Sequence, residues 1–180
     1  FSVLLLGVFC GPVANGLFDA GTKLVDISQQ FLKIISRTFF PFLSRKIDKH
    51  TLFSKIYMLF TLIVTLGLIF FAPFLIPVFF SEEFSESIKV LRLMAISGVF
   101  LTMSNIYGTN YLIIIGRERS LRNLTMYASL LGFVIAIPLI YYGGYMGAVA
   151  IIVFVRMLLG VGSYLLAYNC KKNICKKNLL

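Results

Sequence analysis

The chain has 180 residues, of which 59% are hydrophobic and 13% are charged, and its mean hydropathy is +0.92. Soluble domains are about one quarter charged, and a soluble domain of this size could not bury several apolar runs of about 20 residues. These values exclude an ordinary soluble domain and indicate an all-α integral membrane protein. In such a protein the formal net charge of +10 sets the orientation of the chain in the membrane and attracts anionic lipid headgroups. We therefore expect membrane lipids and not nucleic acid as partners.

Apolar runs separated by helix breakers predict six membrane spans, the first of them truncated. The predicted spans cover residues 1–10, 17–43, 52–80, 88–115, 124–142 and 145–168, followed by a tail at 169–180. Pro73 and Pro77 are expected to kink the third span. Because the chain opens on Phe1 inside an apolar run, we expect it to be the distal part of a longer protein with a further N-terminal lobe.

The segments between the spans alternate in charge. Basic residues fall in the links 44–51 and 116–123 and in the tail 169–180, whereas the turn at 81–87 is acidic and the turn at 143–144 is uncharged. Short loops that carry lysine and arginine face the cytoplasm. The pattern therefore predicts that the basic links and the C-terminus are cytoplasmic.

Motifs for enzymatic or metal chemistry are missing from the sequence. Three cysteines are too few and too scattered for a disulfide framework. The single histidine, His50, lies in a basic link, and we expect a solvated side chain there and not a metal ligand or proton relay. With no phosphate loop and no nucleophile motif, the sequence predicts no cofactor, no metal site and no enzyme.

A polar stripe runs along the second span at intervals of four and three residues. It consists of Asp19, Lys23, Asp26, Gln30, Lys33 and Arg37. On an α-helix these side chains fall within about 80° and extend for about 27 Å, nearly the thickness of the hydrocarbon core. Because one charge facing lipid at mid-membrane costs about 2.5–3.5 kcal/mol, the stripe must line a wet cavity or a protein interface. An amphipathic helix lying on the membrane is the alternative, but the loop charges require a helix that crosses.

The two halves of the polar stripe differ in charge. Asp19 is spaced to pair with Lys23, and Lys23 with Asp26, whereas Lys33 and Arg37 are like charges four residues apart. The last two cations can therefore hold an anionic group such as phosphate or pyrophosphate. Alternatively, both side chains extend to the cytoplasmic interface.

Two further polar features lie within the spans. Arg156 lies near the middle of the last span and needs a partner at that depth. Asp26, a carboxylate elsewhere in the full protein or a ligand would serve, and a structural pair fits as well as a substrate contact. A small, mildly polar face in the span 88–115 is explained more simply by helix packing than by transport. It consists of Gly98, Thr102, Asn105 and Thr109.

Four short segments carry a family resemblance. They are NGLFDAGTKL at 15–24, FPFLSR at 40–45, SEEFSES at 81–87 and YMGAVA at 145–150. In order and spacing they resemble the second six-helix lobe of the Wzx-type polysaccharide repeat-unit flippases, within the multidrug/oligosaccharidyl-lipid/polysaccharide exporter superfamily. Two positions depart from the family pattern. Phe18 replaces the more usual tyrosine, and Arg156 stands where many relatives carry an acidic residue, which removes support for a shared ion-coupling role there.

The resemblance implies a transporter of about twelve helices, in two six-helix lobes around a basic cavity, in the bacterial inner membrane. The implied substrate is a lipid-linked oligosaccharide: an undecaprenyl-pyrophosphate-linked repeat unit that moves from the cytoplasmic to the periplasmic leaflet for surface polysaccharide, such as the O-antigen of lipopolysaccharide. Under this hypothesis Lys33 and Arg37 receive the pyrophosphate. Lys23, Asp26 and Gln30 line the route of the sugar, and Arg156 contributes charge at mid-depth.

Other classes of protein make different predictions. A multidrug exporter of the same superfamily would have a less basic cavity and would take cationic substrates. A membrane-embedded glycan polymerase or glycosyltransferase would need a large extramembrane loop, and the loops of this chain are short. A membrane scaffold without transport activity would tolerate neutralisation of the whole polar stripe.

Overall fold

Four long helices make up the chain in a computed structural model, which describes residues 2–45 and 49–177. They are α1 (Ser2–Arg45), α2 (His50–Phe80), α3 (Ser87–Met103) and α4 (Glu118–Lys177). A 3₁₀ turn, Glu82–Phe84, precedes α3, and a π-helical segment, Ser104–Leu112, continues it. Phe1, the middle of the basic link (46–48) and the last residues of the predicted tail (178–180) lie outside the described residues.

The membrane character of the helices agrees with the composition. Three stretches are long and apolar enough to cross a bilayer: His50–Phe80, Ser87–Leu112 and Glu118–Lys171. Large apolar side chains are exposed on them, for example Phe70 at 79% and Phe74 at 66%, as expected of surfaces that meet lipid. No strand occurs in the described residues, and the prediction of an all-α membrane fold is confirmed.

Glycine residues divide two of the long helices. Gly11 has φ 80° and ψ 178° within α1, and Gly144 has φ 56° and ψ −137° within α4. Positive φ costs glycine little because it has no Cβ. Each of the two helices therefore consists of a segment before and a segment after the glycine.

The observed limits differ from the predicted spans in four places, one of which is the span 88–115, where the helix ends with the π-helical segment at Leu112. The helix that carries the polar stripe continues directly from Gly11, so the predicted turn up to Gly16 is helical. α4 begins at Glu118 and not at 124, and it continues past 168 to Lys177. α2 begins at His50 and not at 52, runs through Pro73 and Pro77 and ends at Phe80; the N–H of the next residue, Ser81, donates to the carbonyl of Pro77 at 3.1 Å.

α3 lies at the centre and packs against α1, α2 and α4. The main buried cluster draws on all four helices and includes Phe18, Val25, Ile76, Leu91, Met94, Ile140 and Val149. α3 and α4 come into close backbone contact at Gly160. A Cβ atom at Gly160 would lie 2.5 Å from the carbonyl oxygen of Phe100 and 3.0 Å from its Cα. Small residues permit such close approach between membrane helices, and this one holds the segment that bears Arg156 against α3.

Candidate functional site

The polar stripe of α1 lies beside a buried stripe of the same helix. All six residues of the polar stripe are exposed. The residues one position earlier are buried: Phe18, Thr22, Val25, Gln29, Leu32 and Ser36. One residue corresponds to about 100° of helix rotation, so the polar stripe runs along the edge of the packed face of α1. The other described helices leave this edge uncovered.

Lys33 and Arg37 line a pocket of about 360 Å³. Its other lining residues are Ser36, Phe40, Asn105, Thr109 and Asn110. The Nδ2 atom of Asn110 donates to Oγ of Ser36 at 2.7 Å, which joins the π-helical segment to α1. Two cations beside amide and hydroxyl groups supply donors for anionic oxygen atoms. Among the residues that line this pocket there is no carboxylate.

The π-helical segment brings two asparagines to the pocket. Ile113 N–H donates to the carbonyl of Gly108 at 3.3 Å, a bond between residues five apart. In a π-helix residues five apart are neighbours along the axis, so Asn105 and Asn110 both reach the pocket. An α-helix would separate these two side chains by about 140°.

The mildly polar face predicted in the span 88–115 is used partly for helix packing and partly to line the pocket. Gly98 packs against Gln29, since a Cβ at Gly98 would lie 2.5 Å from the Nε2 atom of that glutamine. Thr102 is buried, and its hydroxyl accepts from Oγ1 of Thr61 at 3.5 Å. Packing therefore accounts for the first half of the face. The second half lines the pocket with Asn105 and Thr109.

Sequence reasoning missed Ser36 and Asn110 as pocket residues. Ser36 follows Ile35 on the buried side of α1, where a small hydroxyl looks like a packing residue. Asn110 has an α-helical phase that points away from Asn105. The sequence carries no pattern that predicts the π-helical segment, so Asn110 could not be placed beside Asn105.

Arg156 reaches across from α4 to α3 and α1. Its Nη2 atom lies 3.7 Å from Oδ1 of Asp26, and its Nη1 atom donates to Oγ of Ser97 at 2.9 Å. The Arg156 side chain is 19% exposed and that of Asp26 is 56% exposed. The sequence left three partners open for Arg156: Asp26, a ligand or a carboxylate elsewhere in the full protein. In the structure Asp26 is a partner.

The ion pair corrects the predicted pairing within the polar stripe. Asp26 pairs with Arg156, and no carboxylate of the described residues lies within 4 Å of Lys23. A half-buried guanidinium gains more from a nearby carboxylate than an exposed ammonium does. The ion pairs that the spacing allows, Asp19 with Lys23 and Lys23 with Asp26, are therefore not formed in the structure.

We expect Arg156→Met and Asp26→Asn to be coupled in their effect on stability. Each single change removes the ion pair, so the double variant should be more stable than additivity predicts, by about 0.5–1 kcal/mol. The measurement is the free energy of unfolding of the full-length protein and the three variants in mixed micelles. Asp19→Asn is the matched control, because Asp19 is exposed on the same stripe and should show no coupling with Arg156→Met. Additive effects for Asp26→Asn would contradict the pairing.

His50 is buried, and the prediction of a solvated side chain is wrong. It is 6% exposed, its Nε2 atom lies 3.1 Å from the carbonyl oxygen of Ile106, and its ring centre lies 4.9 Å from that of Tyr111. α2 begins at this residue, which turns the ring toward the π-helical segment and away from the basic link. The described residues contain no group of three or more His, Cys, Asp or Glu that could hold a metal ion.

Comparison with known proteins gives a relationship that covers most of the chain. The chain is 30% identical over 165 residues to a protein of Shigella dysenteriae that bears the name "Putative O-antigen transporter". The alignment covers 88% of this chain and 41% of that protein, so the chain spans less than half the length of the curated relative it matches. No family model and no solved structure matches the chain. The similarity supports a relationship with O-antigen transporters.

Proposed function

We propose that this chain is one lobe of a flippase that moves undecaprenyl-pyrophosphate-linked oligosaccharide repeat units from the cytoplasmic to the periplasmic leaflet of the bacterial inner membrane. The observation that carries the proposal is the pocket in which Lys33 and Arg37 meet Asn105 and Asn110. The similarity to a protein named as an O-antigen transporter supports the same substrate class.

The pocket suits the pyrophosphate of such a lipid. Pyrophosphate carries several anionic oxygen atoms, which a lysine meets as a point charge and an arginine can meet with two parallel hydrogen bonds. The amides and hydroxyls beside Lys33 and Arg37 can satisfy the remaining oxygen atoms. A volume of about 360 Å³ lies within the range of small-molecule sites, and it leaves the oligosaccharide to extend along the exposed stripe.

The rest of the polar stripe provides a route for the sugar. Lys23 and Gln30 are exposed and offer donors and an acceptor to sugar hydroxyls. The ion pair of Asp26 with Arg156 adds charged groups at mid-depth, with part of the carboxylate still accessible. In this proposal Arg156 positions α1 against α4 and contributes its charge to the route.

The exposed edge of α1 calls for a second lobe. A row of charged side chains across a membrane must face water or protein. We infer that the N-terminal lobe of the full-length protein faces this edge, and that the two lobes rock against each other to expose the pocket to one leaflet and then to the other. The C-terminus is cytoplasmic in this arrangement, as the basic links require.

The function is tested in cells from which the gene has been deleted. We expect lipid-linked repeat units to accumulate where a membrane-impermeant reagent applied to the periplasm cannot modify them, and the full-length protein should restore both modification and surface polysaccharide. Accumulation of a cationic dye is measured in the same cells. Restored dye efflux without restored modification would favour a multidrug exporter. Repeat units that reach the periplasmic leaflet in the deletion strain, but stay unpolymerised, would favour a polymerase.

A further inference from the structure

A second pocket, of about 520 Å³, lies where α2, the π-helical segment and the end of α4 meet. It does not share a lining residue with the pocket of Lys33 and Arg37. Its lining is aromatic and basic, with four tyrosines, one histidine and one lysine: Tyr107, Tyr111, Tyr164, Tyr168, His50 and Lys171. The proposed transport route uses none of them.

The aromatic wall of this pocket is held by contacts between three elements. The ring centres of Tyr107 and Tyr164 lie 5.0 Å apart in an edge-to-face arrangement, which joins the π-helical segment to α4. The hydroxyl of Tyr107 accepts from Oγ of Ser54 at 3.3 Å, which joins the same segment to α2. The contact of the His50 ring with Tyr111 adds a third link. The pocket is therefore preformed.

The pocket lies at the basic end of the helix bundle. α2 begins at His50, directly after Lys49, and Lys171 lies near the end of α4. Tyrosine and lysine at helix ends are typical of the level of the lipid headgroups. This level is where a lipid phosphate is at its highest concentration.

The polar groups of the pocket fit a phosphate. Lys171 supplies a positive charge, and the tyrosines of the same lining can supply hydroxyl donors. A ligand cation would be repelled by the positive charge of Lys171, with no carboxylate in the described lining to offset it. None of the described lining residues is a carboxylate or an amide side chain. The apolar side chains of Ile115 and Ala167 lie in the same lining and can contact the glycerol and the first acyl carbons.

We propose that this pocket binds the phosphodiester headgroup of an anionic membrane phospholipid, with the Lys171 ammonium and the tyrosine hydroxyls on the phosphate. The occupant is a lipid of the bilayer and not the transported molecule. The proposal stands on contacts that the polar stripe does not share, so it does not rest on the proposed function.

The test uses the full-length protein in detergent, with phosphatidylglycerol, phosphatidylcholine and inorganic phosphate as separate probes. Native mass spectrometry counts bound lipid, and the shift in melting temperature gives the affinity. We expect phosphatidylglycerol to bind in preference to phosphatidylcholine, and Lys171→Gln to weaken it by roughly threefold to tenfold, as expected for loss of one charge-assisted hydrogen bond at a partly wet site. Lys55→Gln is the matched control, because Lys55 is an exposed cation of α2 outside the pocket.

A second variant tests the hydroxyls without removing the rings. Tyr111→Phe with Tyr168→Phe should also weaken phosphatidylglycerol binding while the melting temperature without lipid stays that of the wild type. A variant in which Lys33 and Arg37 are alanine should keep the lipid preference, which separates this site from the polar stripe. Equal binding of phosphatidylcholine, or equal effects of Lys171→Gln and Lys55→Gln, would overturn the proposal. A stabilisation by inorganic phosphate as large as that by phosphatidylglycerol would overturn the lipid as occupant.

Discussion

Surface polysaccharide should be almost completely lost from cells whose full-length protein carries both Lys33→Ala and Arg37→Ala. A hydrogen bond to a charged group contributes about 1.5–3 kcal/mol, so losing both cationic contacts should slow transport by about two orders of magnitude or more. The two side chains line one pocket, and neither has a carboxylate of the described residues within 4 Å that would be left unpaired. The loss should therefore arise in substrate binding and not in folding. The measurement is surface glycan per cell, normalised to the amount of protein in the membrane.

Two further variants give this prediction its controls. Lys89→Ala with Arg92→Ala removes two exposed cations from α3, outside the pocket, and should leave surface glycan unchanged. Lys33→Arg with Arg37→Lys keeps both charges and should retain part of the activity, since the bidentate geometry of arginine moves to the other position. Wild-type glycan from the double alanine variant would show that these two cations do not hold the substrate.

Gly160→Val should disrupt the packing of α4 against α3 and destabilise the protein. The added atoms would meet the carbonyl oxygen, carbon and Cα of Phe100, and backbone atoms of a packed helix cannot turn aside as a side chain can. Overpacking of this kind costs about 3 kcal/mol, and more where the backbone itself must move. We expect a large fall in the melting temperature of the full-length protein in detergent, and little monodisperse protein in fluorescence-detected size exclusion.

The matched control is the same substitution at Gly67. A Cβ there would have no atom within 4 Å, so Gly67→Val should change the melting temperature by only a few degrees. Equal melting temperatures for the two variants would contradict the close contact at Gly160. If Gly160→Val protein can be recovered, its Arg156 should no longer couple with Asp26, because displacement of α4 would carry Arg156 away from Ser97 of α3 and from Asp26 of α1.

Local patterns in the sequence were sufficient for several features. The breaks at Gly11 and Gly144 follow from the freedom of glycine at positive φ, a property of single residues. The exposure of the polar stripe follows from its period, because one exposed edge of a helix collects every third or fourth residue. Asp26 could be named as a candidate partner of Arg156 because carboxylates are scarce in the predicted spans, so a half-buried guanidinium has few possible partners.

Other features depend on packing between helices that are distant in sequence. His50 becomes buried because α2 starts two residues earlier than the apolar run suggests and meets the π-helical segment. Asn110 reaches the pocket because the helix after Met103 widens to bonds between residues five apart, which no periodic pattern in the sequence encodes. Asp26, one of the two partners expected for Lys23, pairs instead with Arg156 of α4.

The two adjacent stripes of α1 constrain how the length of this helix can change during evolution. Each exposed polar residue directly follows a buried one, from Phe18 and Asp19 to Ser36 and Arg37. Inserting a single residue would rotate one part of the helix by about 100° relative to the other, exchanging packing residues for charged ones over the rest of the helix. Two turns add seven residues and almost restore the phase. Homologues should therefore vary α1 by substitution within a fixed frame, with insertions and deletions confined to the links before and after it.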